Sequence, residues 1–196
     1  MTDARGAAAV TITPQAPLAP QLATVKEEFL LARERARRLC HGMDEAAWAR
    51  RPASGGWSVG ECLTHLNITS EQFMPLLDDA IRRGRERNLT ARGPFRLGMA
   101  GWALLRFMEP PYKMKSTTTP TFEPVHVEPM AQTLERFDYL QQELQARVDR
   151  ASGLALERLK LTSPFSSYVK YNLYAAFCLI AAHQRRHLWQ GEQTVV

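Results

Sequence analysis

The stretch that most limits how this chain can fold is the apolar run LYAAFCLIAA at residues 173–182. It belongs to a helix predicted for about residues 172–190, and it is apolar on nearly every side of that helix. Such a helix must be surrounded by other helices, because water would otherwise contact apolar side chains on all its faces. The run therefore predicts that the last helix is buried in a helical bundle.

Three further segments carry apolar residues at alternating spacings of three and four. These seams extend over residues 22–43, 59–80 and 130–151, and no comparable alternation typical of β-strands stands out. Each seam is typical of a helix that packs one face against its neighbours. Four long helices with uneven connections predict an all-α fold, a four-helix bundle.

The distribution of prolines and small residues suggests a flexible N-terminal arm followed by one bundle domain. Residues 1–20 contain prolines and many small residues, and they predict a flexible N-terminal arm. Residues 21–196 then form a single domain, in which residues 88–129 are an irregular connection containing a short apolar segment that can form a helix. A connection of this length in a compact domain often forms a lid or a pocket wall.

The charge pattern does not favour nucleic-acid binding. The net charge is +5, and the two basic stretches, residues 33–38 and 82–87, are each interrupted by glutamate. Such stretches are typical of solvated helix faces with ion pairs, and they lack the interleaved aromatic residues of single-strand binders.

Cysteine usage and hydropathy predict a cytoplasmic protein that does not span a membrane. Cys40, Cys62 and Cys178 are far apart and form no CxxC motif, which is typical of reduced thiols. The longest apolar run has about ten residues, half of what a bilayer requires. The N-terminal segment also lacks the pattern of a signal peptide.

Two histidines near the C-terminus lie on the same face of the last helix. His183 and His187 are four residues apart in HQRRHLWQ, so their Cβ atoms are roughly 6 Å apart and both imidazoles can converge on one cation. A pair at this spacing also arises by chance, and it is weak evidence alone. Its position at the end of the apolar run places it at one mouth of the predicted core, which strengthens the interpretation.

A third histidine, His65, borders the apolar stripe of the second helix. If that helix packs against the last one, His65 joins His183 and His187. Three neutral histidines leave one coordination position of zinc or a similar ion open, as in catalytic sites. The alternative for His65 alone is a half-buried histidine that bonds a backbone carbonyl.

Several neighbours of these histidines allow two interpretations. Glu61 completes a helix capping box with Ser58, which we favour over a role as general base or as a partner that orients a ligand. Cys62 is better explained as a buried apolar side chain than as a ligand. Arg185 and Arg186 either bind an anionic substrate or interact with the helix dipole, and the sequence does not separate these roles.

Five other side chains give weaker signals for a role at this site than the three histidines do. Gln190 continues the histidine face and can orient a ligand, while His126, in the long connection, is a weaker candidate for a fourth contact. His41 falls near a predicted helix end. Trp57 and Trp189 are better explained as packing anchors than as substrate platforms.

Two motifs resemble those of a known family. WSVGECLTHL (57–66) is similar to the second-helix signature of the DinB-like superfamily (DinB/YfiT-like metalloenzymes), and HQRRHLWQ (183–190) is similar to its C-terminal HxxxH signature. The resemblance implies a bundle of up-down-down-up topology. It also implies that His65, His183 and His187 bind a divalent metal ion, commonly zinc or nickel.

The resemblance further implies a small-molecule substrate. Some members of the superfamily are transferases or isomerases that use low-molecular-weight thiols, and a metal-dependent hydrolase would use the same three ligands. Dimers are common among similar bundles, which leaves a homodimer open. The alternative to an enzyme is a non-catalytic bundle that acts as a binding or stress-response protein with a structural or vestigial metal site.

Overall fold

The computed structural model describes residues 18–53, 55–111 and 118–195, and most of the N-terminal arm expected from the sequence lies outside them. The described residues are mostly helical, as the all-α prediction requires. The elements are α1 (Pro20–Cys40), α2 (Glu45–Ala49), α3 (Val59–Glu86), α4 (Gly98–Met108), α5 (Met130–Ala151), β1 (Lys160–Ser163), β2 (Ser166–Asn172) and α6 (Leu173–Glu192). Two 3₁₀ turns occupy Pro120–Phe122 and Leu156–Arg158.

The four long helices pack in a closed ring. α1 contacts α5 and α6, and α3 contacts the same two helices. Their buried apolar side chains form two clusters. The larger cluster contains the first halves of α1 and α6 and the second halves of α3 and α5, and the smaller cluster contains the opposite halves. Burial of these seams supplies the main driving force for folding.

Local signals in the sequence set the ends of the helices. The Ser58 hydroxyl accepts from the Glu61 amide at 3.1 Å and the Glu61 carboxylate accepts from the Ser58 amide at 2.8 Å, which confirms the predicted capping box of α3. The side chain of Asn172 caps α6 by accepting from the Ala175 amide at 2.8 Å. Beyond α5, Gly153 adopts a φ of +79°, a conformation that glycine tolerates best.

A small antiparallel hairpin, absent from the sequence prediction, precedes α6. β1 pairs with β2 from Lys160 opposite Asn172 to Ser163 opposite Ser166, with a bulge between Thr162 and Ser163. In β1 only one residue faces the core, so its apolar alternation is too short to read from sequence. The expectation that the chain contains no β-strands was therefore wrong for residues 160–163 and 166–172.

The irregular connection contains the short helix that its apolar segment allows. α4 packs against α6, and Gly101 permits the close approach because a Cβ atom there would lie 2.6 Å from the Cβ of Ala175. α4 also contacts β2. The connection and the hairpin together cover one side of α6, near its histidines.

The basic stretches are engaged in ion pairs. In the first, Arg33 and Arg37 both pair with Asp138 of α5. In the second, Arg82 pairs with carboxylates on its own helix. None of the described helices combines the length and the hydropathy needed to cross a bilayer.

Candidate metal centre

The structure brings together the three histidines singled out in the sequence. One nitrogen from each of His65, His183 and His187 lies within 4.8 Å of the corresponding nitrogens of the other two. The residues are only 2%, 7% and 8% exposed, respectively. α3 supplies one imidazole and α6 supplies two from successive turns, as the four-residue spacing predicts.

The backbone holds His65 in a defined tautomer. Its Nδ1 lies 2.7 Å from the carbonyl oxygen of Phe122, in the 3₁₀ turn before α5. A carbonyl only accepts, so Nδ1 carries the proton and donates it. The Nε2 atom of the neutral ring is then unprotonated, and it faces the cluster with a free lone pair. Metal-binding histidines are commonly oriented by such a bond. The backbone-bonded histidine and the ligand candidate are thus the same side chain.

The distances within the cluster fit a single cation. The Nε2 atoms of His65 and His183 are 3.2 Å apart. Two nitrogens bound tetrahedrally to zinc at 2.0–2.1 Å are about 3.3 Å apart. Even the widest pair needs to close by at most about 1.5 Å to reach this geometry. In addition, Nδ1 of His187 is buried and has no hydrogen-bond partner among the described residues.

Burial keeps all three imidazoles neutral. It lowers the pKa of His65, and the hydrogen bond to Phe122 offsets only part of this effect. The pKa values of His183 and His187 are lowered well below the ordinary range, first by burial and then by neighbouring positive charge, including that of Arg186. Neutral imidazole is the form that binds a metal ion.

Aromatic side chains surround the cluster. The indole ring of Trp57 stacks on His187 with centroids 5.6 Å apart and lies 4.8 Å from His65. Phe165, in the turn of the hairpin, lies 5.7 Å from the ring of His183. These rings limit the access of water to the imidazoles, so Trp57 combines the predicted packing role with a place beside the site.

A pocket of about 990 Å³ opens onto the histidines. α3 and α6 form its floor, α4 contributes Leu104 and Phe107, and the hairpin contributes Phe165 and Val169. This volume is in the range of small-molecule sites, which are usually apolar with a few placed polar groups. The described residues of the long connection therefore contribute a pocket wall, which is one of the two roles, lid or pocket wall, expected from its length.

Two candidates on α3 are engaged in structural roles. The Glu61 carboxylate accepts hydrogen bonds from the Arg51 guanidinium, at 2.9 Å for Nε to Oε2, and from the Ser58 amide. Burial would raise the pKa of Glu61, but these bonds and the charge of Arg51 lower it. Cys62 is buried, and burial raises the pKa of its thiol, so the thiol stays protonated. The cluster of the three histidines does not include it.

The remaining candidates divide between the pocket and the surface. Gln190 and Trp189 line the pocket. His126 is 80% exposed and lies 3.3 Å from a carboxylate oxygen of Glu128, so the structure does not bring it to the cluster. His41 is exposed at the C-terminal cap of α1.

Sequence reasoning missed two contributors to the site. Phe122 acts through its carbonyl, and every residue has a carbonyl, so no sequence signal marks it. Phe165 lies in the unrecognised hairpin, where its ring packs 4.2 Å from that of Phe122. Together these phenylalanines join the hairpin to the turn that orients His65.

The comparisons with known proteins agree with the geometry. Residues 28–190, which contain all three histidines, match the family model of the DinB superfamily. No curated protein and no solved structure gives a significant match. Because the family model covers most of the chain, this protein belongs to the DinB superfamily.

Proposed function

We propose that the protein is a divalent-metal-dependent enzyme that acts on a small molecule. The observation that carries this proposal is the convergence of His65, His183 and His187 at a pocket of about 990 Å³. Their chemistry suits zinc or nickel, because neutral imidazole nitrogens are good ligands for both ions. When bound, such an ion supplies Lewis-acid chemistry that makes a thiol or water more acidic.

The residues of the chain prepare the site for this chemistry. The Phe122 carbonyl fixes the ring of His65 with Nε2 towards the other histidines. Trp57 and Phe165 shield the imidazoles, and a drier site strengthens the interaction between charges inside it. Glu61 is held by Arg51 and the capping box, so we assign it to structure and not to proton transfer.

The pocket favours an enzyme over a protein with a structural metal. Structural zinc sites are closed by four protein ligands, whereas catalytic sites keep a position for substrate or water. Among the described residues, the cluster contains three ligands and faces a cavity. This arrangement supports the catalytic alternative over a non-catalytic binding or stress-response bundle.

Membership of the DinB superfamily supports a proposal for the reaction class. We propose S-transfer that uses a low-molecular-weight thiol, or hydrolysis at the same three ligands. A thiol suits the site because thiolate sulfur is a good ligand for the same ions. An apolar wall that includes Leu104 and Phe107 suits the carbon skeleton of a second substrate.

The proposal extends to the arrangement of the whole chain. Each core cluster contains the same half of α1 and of α6, together with the opposite half of α3 and of α5. α1 and α6 therefore run in one direction and α3 and α5 in the other, which supports up-down-down-up topology. We also propose one bundle domain over residues 21–196, a cytoplasmic location supported by three free cysteines, and a homodimer as the assembly.

The test is elemental analysis of untagged protein after incubation with zinc and with nickel. Wild type is compared with His65→Ala and His187→Ala, and His126→Ala serves as the control because that histidine is exposed. We expect near-stoichiometric metal in wild type and in the control, and its loss in the other two variants with helicity retained. The metal-loaded protein then enters a screen of thiol-dependent transfer and hydrolysis.

Two results would contradict the proposal. One is wild-type protein that binds neither metal. The other is a His65→Ala variant that keeps the wild-type metal content, because the ion would then lie elsewhere.

A further inference from the structure

The turn of the hairpin places an aromatic ring beside the histidine cluster. Phe165 lies between β1 and β2, and the centroid of its ring is 5.7 Å from that of His183. The side chain is only partly buried, and it lines the pocket. Its ring therefore covers an imidazole on one side and contributes to the surface that a bound molecule meets.

Three contacts hold this ring in place before any ligand binds. The Ser163 hydroxyl accepts a hydrogen bond from the Phe165 amide at 3.2 Å, which fixes the backbone of the turn. The ring packs against Phe122, with centroids 4.2 Å apart, and against Phe73, with centroids 6.2 Å apart. A side chain that is already held in place loses little conformational freedom when a ligand binds to it. Phe165 is therefore suited to bind a ligand as well as to shield the site.

Trp57 adds a second ring at the same site. Its indole centroid is 4.8 Å from that of His65 and 5.6 Å from that of His187, so each of the three imidazoles has an aromatic neighbour. Trp57 is also partly buried and lines the pocket. Aromatic pairs with centroids about 4.5–7 Å apart attract one another beyond the effect of burial alone. The surface next to the histidines therefore favours an aromatic ligand.

The wall formed by α4 is apolar and is held on α6. It contributes Leu104 and Phe107 to the pocket. Arg185 of α6 donates hydrogen bonds to Glu28 of α1 and to Glu109, which follows α4, so its role is to hold these helices together. A hydrocarbon skeleton can thus continue along the pocket from the aromatic rings.

Building on the proposed function, we propose that Phe165 and Trp57 bind an aromatic group of the substrate, next to the atom that reacts at the histidines. Phe165 determines the specificity, because Trp57 is also needed to pack against two of the imidazoles. The short distance from Phe165 to His183 requires the aromatic group to lie within a few bonds of the reacting atom. The substrate class is therefore a small molecule with an aromatic ring close to its reacting group.

The test compares two thiols, one with an aromatic ring and one without. Phenylmethanethiol and ethanethiol are titrated calorimetrically into the metal-free and the zinc-loaded protein. We expect wild type to bind phenylmethanethiol about tenfold or more tightly than ethanethiol in both forms, because the phenyl group is buried against aromatic surface. Phe165→Ala should lose most of this preference. Phe165→Leu keeps an apolar side chain for packing against Phe122, and it should reduce the preference about threefold.

Tyr168→Ala is the control, because it removes a 94% exposed aromatic ring from the same hairpin. It should change the ratio of the two affinities by less than about twofold, as surface substitutions do. The ratio is measured at saturating zinc in the loaded protein, so a weaker metal site in a Phe165 variant does not alter it.

Equal affinity of the two thiols in wild type would overturn the inference, whether or not the variants fold. A wild-type ratio in Phe165→Ala or in Phe165→Leu would also overturn it, as would a loss in Tyr168→Ala as large as in Phe165→Ala. The metal-free titration separates the two proposals. A preference that depends on Phe165 in a protein that binds no zinc supports the aromatic site and contradicts the metalloenzyme, and zinc binding without any preference does the reverse.

Discussion

At the scale of single residues, the spacing of the histidines was informative because it fixes their relative positions on any α-helix. Positions four apart on a helix share a face wherever that helix packs, so His183 and His187 could be paired from the sequence. His65 required the additional inference that two helices pack together, which the structure bears out geometrically. The carbonyl of Phe122 could not be anticipated, because the backbone of every residue offers the same acceptor.

The first prediction concerns Glu61, whose carboxylate caps α3 and pairs with Arg51. We expect Glu61→Gln to lower the free energy of unfolding by about 1 kcal/mol at pH 7, because it removes a charge-assisted cap. Glu71→Gln, in an exposed pair with Arg136, is the matched control, and its effect should be within about 0.5 kcal/mol. Urea denaturation at several pH values measures both.

The pH dependence of this effect has a definite sign. The pKa of Glu61 is lower in the folded state than its ordinary value, which is about 4.3. Its contribution to stability is therefore fully present above about pH 4.3 and is lost as pH falls through the folded-state pKa. The difference between wild type and Glu61→Gln should be constant from pH 7 to about 5 and shrink below about 4. A difference that grows on acidification would contradict this assignment.

At the scale of elements, local chemistry made the helices predictable and left the hairpin hidden. Capping residues and apolar periodicity act within a few residues, so the ends of α3 and α5 followed from short stretches. The hairpin depends on contacts with α3 and α4, which are distant from it in sequence. Tertiary packing, and not a local pattern, therefore decides that residues 160–172 are strands.

A second prediction concerns the turn that orients His65. The side chain of Phe122 is buried against Phe165, which fixes the position of the Phe122 carbonyl. We expect Phe122→Ala to weaken zinc binding roughly 10- to 100-fold without removing a ligand, because outer partners of metal-binding histidines have effects of this size. Competition with a chromophoric chelator measures the affinity. Val125→Ala, an exposed change in the same segment, should leave it unaltered, and equal affinity in both variants would contradict the role of the turn.

A third prediction concerns the packing of α4 on α6. Alanine normally stabilises a helix relative to glycine by about 1 kcal/mol. At Gly101, however, the new Cβ atom would meet the Cβ of Ala175 at 2.6 Å. We therefore expect Gly101→Ala to lower the free energy of unfolding by about 1–3 kcal/mol, as overpacking does.

Thermal or urea denaturation gives the sign of this change directly. Ala100→Gly, at an exposed position in the same helix, reports the effect of helix propensity alone. A Gly101→Ala variant more stable than wild type would show that α4 does not pack closely on α6.

At the scale of the whole molecule, the core is divided by polar residues. Between the two apolar clusters, each of three helices carries a buried polar side chain: Thr69, Gln141 and Gln184. Gln141 is 0% exposed, and neither polar atom of its side chain has a hydrogen-bond partner among the described residues. Burying an unpaired amide opposes folding.

The fourth prediction concerns Gln141, one of the buried polar side chains between the two apolar clusters. We expect Gln141→Leu to raise the free energy of unfolding by about 1–2 kcal/mol, because an apolar side chain of similar size removes the cost of burying an amide. Urea denaturation of the two proteins provides the comparison, with Gln132→Leu as a control outside the core. A lower stability of Gln141→Leu would mean that the amide is paired in solution, for example through buried water.

The ion pairs of Arg185 also bear on how such a site can diversify. They tie the segment after α4 to the turn of α6 that carries the histidines. Changes along the facing wall, at Leu104 or Phe107, can thus reshape the space offered to a substrate while the histidines keep their places. Substitutions in this wall can therefore change which substrate fits, while the three histidines remain in place.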